Sequence, residues 1–147
     1  MAKYVITSKK GAPPQGAYSQ GWRAGDFVFV TGTGPSDPVS NTITSDAIEK
    51  QTEQTIRNME SILEADGASL ADVVKVTAHL SDISLFPRYN TTYASIFAKP
   101  YPVRTTVESG FADPKMLIEL DCVAYAPKSA ASAKKKTAKK PAGKKKR

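Results

Sequence analysis

The chain has 147 residues, 40% of them hydrophobic and 8% aromatic, which gives room for one globular domain with a real core. Its formal net charge of +7 suggests nucleic acid only until it is divided by position, because 128–147 hold ten of the 21 basic residues and no acid, leaving 11 basic against 14 acidic residues over 1–127. One cysteine, Cys122, and one histidine, His79, exclude an intramolecular disulfide and an ordinary zinc site, and no stretch approaches the ~18 apolar residues of a membrane span.

A cytoplasmic, metal-free protein is the expectation, since MAKYVITSKKGAPP at the start carries lysines but no apolar signal-peptide core. Residues 26–31, DFVFVT, are aromatic and β-branched and run into the turn formers GTGPSDP, which reads as a strand ending in a loop. From Ser45 to Gly67, capping residues precede Ile48, Thr52, Thr55, Ile56, Met59, Ile62 and Leu63 at helical spacing. This predicts an amphipathic helix with one buried face. In VVKVTAHLSD, strict alternation sends Val74, Val76, Ala78 and Leu80 to one face, and Val73, Lys75, Thr77 and His79 to the other. A second helix is expected where Leu85, Phe86, Tyr89, Tyr93, Ile96 and Phe97 form a stripe, with Pro87 tolerated in its first turn. Strands over 103–109 and 116–126 complete an α+β sandwich, one helical layer on one sheet face. Past Pro127 the chain turns to Lys, Ala, Ser and Pro with almost nothing to bury, so 1–127 is the expected domain and 128–147 an expected disordered basic tail. Such a tail would contact phosphates without reading bases, or serve as a neutral, solubilising extension.

Several residues invite a chemical role. Arg104 is the lone cation of YPVRTTVE, and its planar fork suits a carboxylate, although a structural ion pair or a solvated strand end uses the same residue type. Glu119 shares parity with Asp121 opposite Ile118 and Leu120, the ordinary pattern of a wet face. Tyr18, set among small residues in QGAYSQGWRAGD, borders a cleft or packs in a turn. The GTG at 32–34 completes neither a phosphate loop nor a dinucleotide fingerprint. His79 reads as a surface imidazole and Cys122 as a packed, inert thiol.

Six segments in consistent order resemble the RidA family of enamine/imine deaminases: GAYSQ (16–20), QTIRNMESILEADG (54–67), DVVKVTAHLSD (72–82), NTTYASIF (90–97), PVRTTVE (102–108) and LIELDCVAY (117–125). The resemblance covers nearly all of 3–126. It implies a chorismate-mutase-like fold assembled as a homotrimer, sheets toward the centre, with sites in the clefts between subunits. It also implies cofactor-free and metal-free hydrolysis of 2-aminoacrylate, 2-iminopropionate and related 2-imino acids to 2-keto acids and ammonia. By the same resemblance Arg104 matches the arginine that grips the substrate carboxylate, Glu119 the glutamate associated with the hydrolytic water, and Tyr18 a tyrosine bordering the pocket from the neighbouring subunit. Backbone groups near Thr106 are implicated in holding the imine nitrogen, and Thr31 and Thr106 are counted among the substrate-binding positions. The chain departs from the familiar pattern at three places: Thr106 stands where many members have cysteine, Thr31-Gly32-Thr33 where SGQ is frequent, and the loop before Arg104 is shorter. The alternative is a trimeric small-carboxylate-binding or regulatory protein without turnover. Family members have also been labelled ribonucleases, and one histidine supplies no acid/base pair for RNA cleavage.

Overall fold

The computed structural model describes residues 2–129. From residue 130 onward the basic tail, with the disorder and nucleic-acid contact expected of it, lies outside the described residues.

Among the described residues six strands make one mixed sheet: β1 (Lys3–Ile6), β2 (Gly21–Ala24), β3 (Phe27–Thr33), β4 (Val73–Leu80), β5 (Val103–Glu108) and β6 (Ile118–Tyr125), in spatial order β1-β2-β3-β6-β4-β5. Helix α1 (Ile48–Glu64) joins β3 to β4, and α2 (Phe86–Ile96) joins β4 to β5. Those last two strands pair parallel, which a helical crossover permits and a tight turn does not. Both helices cover one sheet face, giving the expected chorismate-mutase-like α+β sandwich.

The helices form where the apolar period is 3.6. Ile48, Ile56, Met59, Ile62 and Leu63 of α1 are buried against Val28, Val30, Leu120 and Ala124 of the sheet. The helix stops at Gly67, whose φ of 80° is left-handed, while the N–H of Ala68 returns to the Leu63 carbonyl at 3.0 Å. In α2, Tyr89 and Tyr93 are buried, and Phe97 just beyond stacks on Tyr93 with ring centroids 4.4 Å apart.

Strict alternation fails at the start of β4. The register against β6 shifts between Val73 and Lys75, so Val73 is buried and Val74 exposed, the reverse of the sequence expectation. A bulge adds one residue and flips parity on one side of it. From Val76 onward the alternation holds.

Strands β1 and β2 were not predicted. GWRA begins with a glycine and buries an arginine: Arg23 is 3% exposed because its Nε donates to the Asp66 carboxylate and Nη1 to the Ala126 carbonyl at 2.9 Å. Asp66 also accepts from Tyr4 at 2.8 Å and Lys128 at 2.8 Å. Burial pushes the Asp66 carboxyl up, but the bonds from Lys128, Arg23 and Tyr4 outweigh it and leave the pKa below 3.8. The cluster ties β1, β2, the end of α1 and the C-terminal residues of the domain together.

The other sheet face carries no helix from the described residues. One cross-strand row on it reads Val5, Trp22, Phe29, Val123, Lys75, Val103, apolar except for the lysine. No helix among the described residues is long and apolar enough to cross a membrane.

Candidate functional site

A cleft of about 620 Å³ opens at the end of β3, between the loop preceding β2 and the loop preceding β6. Three buried amide side chains hold its walls. Gln20 accepts from the Ser8 N–H at 2.7 Å and donates to the Ala12 carbonyl at 2.9 Å, pinning the first loop. Asn58 of α1 donates to the carbonyls of Gly34 and Ser36 at 3.0 and 2.7 Å, pinning the chain after β3. Gln51, also on α1, donates to the Ser45 and Lys115 carbonyls and accepts from the Leu117 N–H, pinning the entry to β6. Each satisfies backbone groups that a loop otherwise leaves unpaired away from water. Sequence reasoning missed all three. For Gln51 and Asn58 the available signal was a polar residue at a core position of the α1 period; Gln20, in the loop before β2, had none.

Tyr18, Thr31 and Glu119 line this one cleft. Tyr18 is half exposed and its hydroxyl accepts from the Gln15 N–H at 2.9 Å. Thr31 is anchored through its backbone N–H to the Gln20 carbonyl at 2.9 Å. The Glu119 side chain has no hydrogen bond or ion pair with another described residue. Its place is made by Gly32, where a Cβ would fall 2.2 Å from Glu119 Oε1. A glycine on β3 therefore gives the carboxylate room to lie against the neighbouring strand.

Arg104 and Thr106 lie elsewhere. Arg104 pairs in register with Val76, which is fully buried on the helix side, whereas Glu119 pairs with His79, of the opposite parity. The arginine thus sits with α2 on the edge strand β5, and one chain does not bring Arg104 and Glu119 to the same small molecule. The guanidinium carbon lies 4.5 Å from the Tyr93 ring centroid, 5.3 Å from Tyr89 and 5.6 Å from Phe86, and Nη2 donates to Asn90 Oδ1 at 2.7 Å. No ion pair links it to a described carboxylate. The structural ion pair weighed for Arg104 is therefore absent among the described residues. Thr106 lies two residues on, half-buried with the same parity. Burial pushes the Tyr89 phenol above 10, with the Arg104 charge and the Thr106 hydroxyl opposing.

His79 is half-buried, with Nδ1 2.7 Å from Ser109 Oγ. Cys122 is 2% exposed; burial, aided by the Asp121 charge, pushes its thiol up to about 12, which keeps it protonated and inert. No group of three His, Cys, Asp or Glu side chains gathers as a metal site among the described residues.

A family model described as Endoribonuclease L-PSP matches residues 9–126. A RutC family protein of Pyrococcus abyssi is 42% identical over 85% of this chain and 98% of its own. A protein of Dermatophagoides farinae named 2-iminobutanoate/2-iminopropanoate deaminase is 31% identical over 71% of this chain and 82% of its own. Among solved structures, RidA from an Antarctic Psychrobacter superposes with a TM-score of 0.79 at 30% identity, covering 83% of this chain and 98% of that one.

Proposed function

The chain belongs to the Endoribonuclease L-PSP family, to which the RidA proteins also belong, and from that premise we propose that it hydrolyses reactive 2-imino acids, 2-iminopropionate among them, to 2-keto acids and ammonia. The observation that carries the reading is the guanidinium of Arg104, held in place on an edge strand with no carboxylate partner among the described residues. A 2-imino acid brings that carboxylate, and a charge-assisted pair to arginine is worth about 1.5–3 kcal/mol per bond.

The chemistry asks little more than position. The imine carbon is already electrophilic. Water adds to it through oxygen, Glu119 accepts the departing proton and returns one to nitrogen, and the resulting carbinolamine loses ammonia to leave the keto acid. Because Arg104 and Glu119 occupy opposite faces of one sheet, the reaction requires two subunits: the cleft with Tyr18, Thr31 and Glu119 from one, the β5 edge with Arg104 and Thr106 from the next. A homotrimer closed through the helix-free sheet face meets that need, and the apolar row across that face supports it, since contiguous exposed apolar surface marks an interface. A relative named as an imine deaminase supports the substrate class.

The test follows the loss of freshly generated 2-iminopropionate. Wild type is expected to accelerate it, with Arg104→Ala losing roughly 30-fold or more in kcat/KM and Glu119→Ala losing most of kcat. Wild-type-like turnover by Arg104→Ala sinks the clamp. The second reading, binding of a small carboxylate without turnover, draws on the fact that Arg104 is held ready within one chain while Glu119 is not beside it. Ligand binding without ammonia release selects it.

A further inference from the structure

A buried or half-buried arginine usually finds a protein carboxylate, because an unpaired charge away from water is costly. Among the described residues Arg104 instead has three aromatic rings and one neutral amide. Ring faces attract a cation through their quadrupole and consume none of its N–H donors. Asn90 takes one donor on Nη2 and fixes the plane of the fork. The buried hydroxyls of Tyr89 and Tyr93 have no partner at full hydrogen-bond geometry among the described residues; Arg104 and Thr106 lie near enough to Tyr89 to oppose the effect of burial on its phenol, and what both tyrosines turn to the guanidinium is ring surface. Sequence spacing makes the cage, because Phe86, Tyr89, Asn90 and Tyr93 recur at three and four residues on α2 and so share one helix face.

We propose that the α2 residues Phe86, Tyr89 and Tyr93, with Asn90, are positioning residues of the carboxylate clamp: they stabilise the Arg104 charge in place of a counter-ion and so keep its fork open to a ligand. The inference rests on the reading of Arg104 as a carboxylate clamp and extends it to the residues that make the clamp work. It also predicts that the clamp fails when a counter-ion is supplied. Asn90→Asp changes one atom, adds no bulk, and places a carboxylate where the neutral amide now meets Nη2.

The experiment measures binding of 2-oxobutanoate by calorimetry, with thermal melting and turnover of 2-iminopropionate in parallel, on the full chain. Asn90→Asp is expected to bind at least about tenfold more weakly while melting no lower than wild type. A purely structural role for Asn90 would leave binding intact, so wild-type affinity in a folded Asn90→Asp overturns the proposal. Tyr93→Leu is expected to weaken binding about tenfold, raising KM more than it lowers kcat, and Tyr93→Phe, which keeps the ring, to restore most of the loss. Equal losses in Tyr93→Leu and Tyr93→Phe would contradict the ring argument. If wild type binds 2-oxobutanoate but releases no ammonia, the variants' affinities still decide the cage and only the deaminase reading falls. If wild type does not bind it, the clamp and the cage fall together.

Discussion

At the scale of single residues, the candidate site depends on small groups that make room or hold direction. Gly32 is the sharpest case, because an added Cβ would meet the flexible end of Glu119 rather than backbone. Gly32→Ala should therefore swing the carboxylate away without unfolding the strand. Turnover is expected to fall about tenfold or more with little change in melting temperature; unchanged turnover would show that the place of Glu119 does not matter. Asp66 tests charge in the same way. Its carboxyl is lowered below 3.8, so its stabilising contribution is present above that value and is lost as pH falls through the lower folded one. Asp66→Asn leaves Arg23 buried beside a neutral amide and should cost about 3–5 kcal/mol at neutral pH. The gap to wild type should narrow below pH 3.8, and denaturation at several pH values reads it directly.

At the scale of elements, the helices and the central strands were legible because each repeats its apolar residues at its own period. Strands β1 and β2 were not. Four residues offer only two per face, and in GWRA the inward pair is Gly21 and Arg23, whose burial depends on Asp66 forty-three positions away. No local pattern carries such a partnership. The bulge in β4 escaped for a related reason: VVKV satisfies either parity at its first two positions, and the pairing with β6 decides which valine turns inward. Val76→Thr should cost about 1–3 kcal/mol by burying a hydroxyl, whereas Val74→Thr should stay within about 0.5 kcal/mol. Equal costs would contradict the bulged register. The site shows the same split. Tyr18, Arg104 and Glu119 stand out as residue types, but that Arg104 and Glu119 lie on opposite faces follows only from the register, which sets Arg104 beside Val76 and Glu119 beside His79 on β4.

At the scale of the whole molecule, the sandwich covers one sheet face with helices and leaves Trp22, Phe29 and Val103 outside. In the proposed assembly the contact that covers them also brings a β5 edge to a neighbour's cleft, and that proposal couples association to activity. Trp22→Lys, placed within the apolar row, should lower the sedimentation mass toward one chain of 15.8 kDa and abolish turnover together. Loss of one without the other would separate the interface from the site. The central claim is that the reaction uses Arg104 of one chain and Glu119 of the next, and mixing two inactive variants tests it most directly. Arg104→Ala and Glu119→Ala chains are unfolded together, refolded as mixed oligomers, and assayed with 2-iminopropionate. A shared site predicts recovery to about a quarter of wild-type activity, the fraction of random neighbouring pairs that offer both intact residues. Mixed oligomers as inactive as their parents would contradict it.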